Sequence, residues 1–316
     1  MSEFRHEPVL LAECLAGLNI RPDGIYVDGT VGGGGHSAKI AERLTTGRLL
    51  VPVDADEAAL RAAGERLAPF GDRVTLVRSN YDRIEEILDG LGIGLADGML
   101  FDLGVSSPQL DDPERGFSYM ADAPLDMRMD RTAALTARQV VNEWPEGELK
   151  RILGVYGEER YAGRIAAAIV RSRREAPIET TLQLAELIRA AMPAAARREK
   201  QHPAKRSFQA LRIAVNDELG AVERMLETAP DRLRPGGRLC VISFHSLEDR
   251  LVKQAIRRRE DGCTCPRDFP VCVCGFRQTL RTVGGVITAS AEELERNPRA
   301  RSAKLRVAER VEPEEK

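Results

Sequence analysis

From residue 25 onward, short runs of apolar and β-branched residues alternate with stretches whose apolar positions recur every three to four residues. The runs IYVDGT, LLVPVD, VTLVRS and GMLFDLG predict strands, and the intervening stretches 34–44, 56–67 and 83–91 predict helices. Strands that read as apolar throughout are buried on both faces. Repeated βαβ units, and hence a parallel sheet covered by helices on each side, are therefore expected. Ligands of such sheets bind at the carboxyl ends of the strands. Asp28, Asp54, Ser79 and Asp102 fall there.

The alternation then stops. Residues 109–203 contain no convincing strand, only a loop rich in Asp, Pro and Met followed by helical patterns over 146–155, 160–174 and 181–191. A long helix is predicted over 207–227. The Pro-Gly-Gly turn of RPGGRLCVISF then leads into another buried strand, and LEDRLVKQAIRRR reads as a helix. The fold class expected is α/β, a doubly wound Rossmann-like sheet with an inserted all-helical domain. Its boundaries are expected at 1–108, 109–205 and 206–316. Internal repeats and low-complexity tracts are absent from the sequence.

Charge refines this division. The 316 residues carry 47 Lys plus Arg against 49 Asp plus Glu, a formal net charge of −2, which excludes a uniformly basic nucleic-acid coat. The distribution is uneven: residues 1–159 hold 16 basic and 28 acidic side chains, residues 160–306 hold 29 and 17, and residues 307–316 hold 2 and 4. Three segments are notably basic, 160–174, 197–212 and 296–306. In the first, Arg160, Arg164, Arg171 and Arg174 recur at helical spacing. One such stripe is usually a solvated face, whereas three in one chain favour contact with a polyanion. The N-terminus MSEFRHEPVLL has no apolar secretory core, and no apolar run approaches a membrane span, so a cytoplasmic location without membrane contact is expected.

The first chemical motif is DGTVGGGGH, Asp28 to His36, where a predicted strand meets a helix. Its glycines let the backbone approach a ligand closely and present helix N-terminal amides to it. No register supplies the glycines at i, i+2 and i+5 of a dinucleotide fingerprint, which weakens a nicotinamide reading. The spacing Asp28, Gly32, Gly34 resembles instead the first motif of amino-methyltransferases that use S-adenosylmethionine; a tight structural turn is the competing reading. Asp54, about 20 residues beyond the glycines, can accept hydrogen bonds from both hydroxyls of a ribose. Asp56 is better suited to capping the next helix. Tyr81 lies against an adenine or serves packing.

Two further motifs end predicted strands. In DLGVSSPQ, Asp102 to Gln109, an acidic or Ser acceptor could orient the N–H groups of an exocyclic amine. Ser107-Pro108 resembles the corresponding amino-methyltransferase motif, but Gln109 replaces its second proline and Leu110 its aromatic residue. In ISFHSLEDR, Ser246 and Asp249 are expected to form a helix N-terminal box, leaving Phe244 and His245 for base stacking or hydrogen bonding. Asp102, Ser107 and His245 are thus the candidate catalytic groups. Finally, Cys263, Cys265, Cys272 and Cys274 could hold a structural zinc ion as four thiolates, although C-x-C is tighter than the usual C-x2-C spacing. Buried thiols or a redox pair compete with that reading.

Taken together, HEPVLL at His6, DGTVGGGGH, FDLGVSSPQLDDPERGFSYM, PLDMRMD, YGEER at Tyr156, HPAKRSFQALRIAVNDEL from His202, GGRLCVISFHSLEDR and NPRARSAKLRVAER from Asn297 resemble one family over roughly residues 5–310. It is the ribosomal RNA small subunit methyltransferase H family. The resemblance implies a class I methyltransferase fold and transfer of a methyl group from S-adenosyl-L-methionine to N4 of a cytidine in the decoding region of 16S ribosomal RNA, which tunes the ribosomal P site. It also implies a cofactor site at Gly34, Gly35, His36, Asp54, Tyr81, Asp102 and Gln109. The partner implied is 16S rRNA within the small ribosomal subunit; the residues leave the oligomeric state open, with a homodimer as one alternative. The Cys-rich loop gains no support from the resemblance, because that stretch varies across the family. A non-catalytic ribosome-assembly factor that holds S-adenosylmethionine as a structural ligand is the rival from another class.

Overall fold

A computed structural model of the chain describes residues 8–45, 49–199, 201–266 and 273–313. The chain forms two compact units, one of residues 1–104 and 219–316, the other of residues 105–218.

The first unit is built on a seven-stranded sheet. Its elements are α1 (Leu11–Leu18), β1 (Tyr26–Asp28), α2 (Gly35–Ala41), β2 (Leu50–Asp54), α3 (Glu57–Leu67), β3 (Val77–Arg78), α4 (Ile84–Gly90) and β4 (Ala96–Asp102). The second unit interrupts the chain here with α5 (Ser107–Asp111), α6 (Ala137–Glu143), α7 (Glu146–Val155), α8 (Ala162–Ser172), α9 (Thr181–Ala191) and α10 (Lys205–Asn216). The first unit resumes in α11 (Glu218–Thr228) and continues through β5 (Leu233–Ser243), α12 (Ser246–Glu260), β6 (Leu280–Thr282), α13 (Ala291–Arg296) and β7 (Lys304–Arg310).

The strand order is β3-β2-β1-β4-β5-β7-β6, with β1 to β5 parallel and β7 antiparallel to both of its neighbours. The order reverses between β1 and β4, where Asp28 is level with Leu100 and, one strand further, Asp102 is level with Ile242. This topological switch point is where doubly wound sheets open a crevice at the strand ends. Alternate residues of β4 and β5 feed two separate cores. Met99, Phe101, Leu239 and Val241 pack with residues of α4, α11 and α12, whereas Leu100, Cys240 and Ile242 pack with residues of α1 and α2. Burial on both faces explains why these strands read as unbroken apolar runs. The expected doubly wound, Rossmann-like α/β class is observed.

The helical unit has its own core. In α8 the buried residues Ala162, Ile165, Ala166 and Ile169 follow the i, i+3, i+4, i+7 spacing of one helix face. Phe208 and Leu211 of α10 join the same core, so this unit runs to Glu218 rather than closing at residue 205. At its other end it begins at Val105 rather than at residue 109.

Two expectations change. The helix expected over 207–227 is two helices, because Asp217 takes a left-handed conformation (φ 48°) that ends α10. Strand β7 was not anticipated. Its inward residues Leu305 and Val307 alternate with Lys304 and Arg306, and those charges masked the strand pattern.

Candidate functional site

Three carboxylates meet at the carboxyl edge of the sheet in the α/β unit. Asp28 ends β1 and is buried; its Oδ1 accepts from the Thr30 amide (3.3 Å) and its Oδ2 from the Ser37 hydroxyl (2.7 Å). Those bonds offset only part of the cost of burial, which lifts its pKa to about 6. Asp54 ends β2, and both of its oxygens accept backbone amides, Oδ2 from Gly32 (2.9 Å) and Oδ1 from Asp56 (2.9 Å). Burial raises it to about 6 as well. Asp102 ends β4. Its amide donates to the Thr30 hydroxyl at 2.6 Å, yet its carboxylate Oδ1 is buried without a hydrogen-bond partner among the described residues. Burial, followed by the negative charges of Asp28 and Glu248, pushes its pKa up to about 8.

His36, in the first turn of α2, lies beside this group. Its Nε2 is 3.0 Å from the carbonyl oxygen of Val9, which can only accept, so that nitrogen carries a proton. Nδ1 then faces Asp102 Oδ2 at 3.9 Å, too far for a hydrogen bond but within ion-pair reach of a protonated ring.

The glycine loop divides into two kinds of position. Gly34 is left-handed (φ 76°), and a β-carbon there would stand 3.2 Å from the Ala63 backbone; at Gly35 it would meet Pro8 Cγ at 2.4 Å. Both glycines, expected to contact a cofactor, are thus required by the packing of the chain itself. Gly33 is different. A β-carbon there would meet nothing within 4 Å, so packing does not require glycine at this position. Four consecutive glycines carry no internal distinction that would reveal this in the sequence.

Tyr81 opens a short 3-10 turn and packs edge-to-face on Phe101, with ring centroids 6.0 Å apart. Asp56 caps α3 as expected, its Oδ1 accepting from the Ala58 amide at 3.0 Å.

At the end of β5 the expected cap is shifted by one residue. His245, not Ser246, is the N-cap of α12, and its Nδ1 accepts from the Glu248 amide at 3.4 Å. Its Nε2 lies 3.2 Å from Glu248 Oε1. Glu248 is buried and its other oxygen accepts from the amides of Phe244 (2.8 Å) and His245 (3.2 Å). Asp249, expected in the capping box, instead receives Arg306 (2.8 Å) and Lys304 (3.2 Å). Two members of the third basic segment are therefore neutralised within the fold. Glu248 was overlooked because a Ser-to-Asp box one residue out of register also satisfied the pattern.

Ser107 and Gln109 belong to the helical unit. Ser107 is the first residue of α5, and its side chain lies outside the described residues. Gln109 is buried, and its Oε1 accepts from the Ser106 amide (3.0 Å), the reciprocal bond of a helix N-terminal box. In the same unit Arg160, Arg164, Arg171 and Arg174 are exposed, and the last three have no ion pair among the described residues. Of the four cysteines, Cys263, Cys265 and Cys274 draw together with sulfur atoms within 4.8 Å of one another, and Cys272 lies outside the described residues. No described helix is long and apolar enough to cross a membrane.

Comparison with known proteins agrees with this picture over nearly the whole chain. The model of the MraW methylase family matches residues 3–311. The chain is 61% identical over 304 residues to a protein of Symbiobacterium thermophilum named ribosomal RNA small subunit methyltransferase H, covering 96% of each chain. It is 59% identical over 315 residues to the protein of that name from a Paenibacillus species, covering 98% of this chain and 100% of the other. With a family model spanning both units and relatives matched end to end, the chain belongs to the MraW methylase family.

Proposed function

We propose that the protein methylates the exocyclic N4 of a cytidine in the decoding region of small-subunit ribosomal RNA, using S-adenosyl-L-methionine. The observation that carries this reading is Asp102: a half-buried carboxylate at the topological switch point whose Oδ1 is buried and has no hydrogen-bond partner among the described residues, in a chain whose relatives bear the name of a small-subunit rRNA methyltransferase.

The residues fit the cofactor. Asp28, Asp54 and Asp102 all have proton affinities raised first by burial, and a cation among them would restore their ionised forms. When bound, S-adenosylmethionine supplies an electrophilic methyl group on a cationic sulfonium. Asp102, ionised beside that charge, accepts an N–H of the target amine at Oδ1 and fixes its direction. Removal of the positive charge returns Asp102 to its high proton affinity, so the same oxygen takes the proton that the alkylated amine releases. His245 acts by position: as the N-cap of α12 its Nδ1 accepts the Glu248 amide just after the end of β5. Asp54 and Tyr81 serve the ribose and adenine, and Gly33 provides the open backbone approach. Gln109 sets the first turn of α5, accepting the Ser106 amide.

The glycines separate ligand from packing effects. Gly33→Val should retain the thermal stability of the parent and lose cofactor affinity, whereas Gly35→Val should lower the melting temperature first. Isothermal titration beside thermal melting checks both; equal affinity in Gly33→Val removes that position from the site.

The exposed arginines of the helical unit suit RNA phosphate. Arg164→Glu combined with Arg171→Glu should weaken binding of small subunits and reduce the slope of log K against log salt by roughly 1.5 to 2, as expected for two lost phosphate contacts. An unchanged slope would return this face to plain solvation.

The reading as a whole is tested with methyl-labelled S-adenosylmethionine and purified unmodified small subunits, large subunits and duplex DNA. Label in the small-subunit RNA alone supports it. Cofactor binding without label in any of them would favour the assembly-factor alternative.

A further inference from the structure

The chain between α12 and β6 makes a long excursion whose ends are tied together. The Thr279 amide donates to the Arg259 carbonyl at 2.9 Å, and Glu260 receives both the amide (2.8 Å) and the hydroxyl (2.6 Å) of Thr282. Between these ties, none of the described residues contributes a buried apolar side chain. What converges there is sulfur. Cys263 and Cys274 Sγ are 3.7 Å apart, and Cys265 Sγ joins them with all separations within 4.8 Å.

At 3.7 Å Cys274 Sγ is placed to donate to Cys263 Sγ, a separation that two thiols or two metal ligands both adopt and a disulfide does not. A disulfide requires about 2.05 Å, whereas two ligands of a tetrahedral metal with metal–sulfur bonds of about 2.3 Å stand about 3.8 Å apart. Cys265 Sγ also accepts the Val273 amide at 3.3 Å. Gly262, immediately before the cluster, is obligatory: a β-carbon there would lie 2.1 Å from the Arg258 carbonyl and 2.8 Å from the Phe276 ring. The turn that presents Cys263 is thus fixed by packing at the end of α12.

We propose that Cys263, Cys265 and Cys274 bind a structural zinc ion that organises this excursion. Three thiolates select a thiophilic metal over magnesium or calcium, and zinc takes them without redox chemistry. The site is separate from the strand-end carboxylates and does not depend on the methyltransferase reading. Cys272, which precedes Cys274 by two residues, lies outside the described residues, and the proposal rests on the other three.

The full-length protein, purified under reducing conditions, incubated with zinc chloride and gel-filtered, should retain about one zinc per chain. Titration with a mercurial should release it in proportion to thiols modified. Replacing zinc with cobalt(II) should give the thiolate-to-metal charge-transfer absorption and the strong visible bands of a tetrahedral sulfur site. Cys263→Ser combined with Cys274→Ser should abolish retention. Failure of the unsubstituted protein to hold zinc or cobalt overturns the proposal even if the double variant does not fold. Zinc held equally by the double variant, or a Cys263–Cys274 disulfide found by mass spectrometry in the protein isolated without reductant, overturns it as well.

Discussion

Asp102→Asn is expected to lower methyl transfer about 100-fold or more at saturating cofactor and RNA, with the fold intact. Asparagine keeps the shape of the side chain and can accept one hydrogen bond through its carbonyl oxygen, but it carries no charge and cannot take up a proton at neutral pH. The loss should therefore fall on the transfer step, read as single-turnover rate, while S-adenosylhomocysteine still binds. Stability should move the other way. The folded-state pKa of Asp102 stands at about 8 against an ordinary value of 3.8, so the native protein holds a proton that the unfolded chain releases. Its contribution is fully present below about pH 4 and is lost as pH rises through 8. The asparagine variant lacks that buried charge and should gain stability relative to the parent above pH 8. A variant that transfers methyl groups within threefold of the parent would remove Asp102 from the chemistry.

The second large effect is on cofactor binding. A cationic ligand needs ionised carboxylates, and the free protein at pH 6 holds Asp102 largely protonated and Asp28 and Asp54 near their midpoints. Ionisation must accompany binding, so affinity for S-adenosylmethionine should rise with pH from 6 to 8, by about tenfold per unit for the proton lost from Asp102 and more steeply near pH 6, where Asp28 and Asp54 also ionise, and then level off. Proton release should be measurable by titration in buffers of differing ionisation enthalpy. S-adenosylhomocysteine, which lacks the sulfonium charge, should show a much shallower dependence. Equal pH dependence for the two ligands would mean that the carboxylates do not sense the cation.

Much of the α/β unit was legible because its strands are buried on both faces and end in the polar residues that the site uses. Tyr26–Asp28, Leu50–Asp54 and Ala96–Asp102 are apolar along their length and close on Asp28, Asp54 and Asp102. The Asp56 cap was legible because a short carboxylate just ahead of a helical pattern has one economical use. The break at Asp217 was not, since neither glycine nor proline marks this left-handed position. β7 escaped notice because Lys304 and Arg306 answer Asp249, a partner more than fifty residues away in sequence. The site was harder than the fold. The unpartnered Oδ1 of Asp102, the open space at Gly33 and the Glu248 clasp on Phe244 and His245 are properties of three-dimensional neighbours. Near-neutral total charge likewise concealed an acidic cluster at the strand ends and a basic stripe. The basic segments proved unequal, since the arginines of α8 stay exposed while part of the last segment is consumed by Asp249.

The most direct measurement is the identity of the modified nucleoside. Small subunits lacking the modification are incubated with the protein and S-adenosylmethionine, their RNA is digested to nucleosides, and the products are separated by liquid chromatography and mass spectrometry, with nuclease fragments locating the site. N4-methylcytidine in a decoding-region fragment, absent when Asp102→Asn replaces the parent, is the predicted result. A methyl group on cytosine C5, on a ribose or on any protein, or no methylation with cofactor saturating, would contradict it.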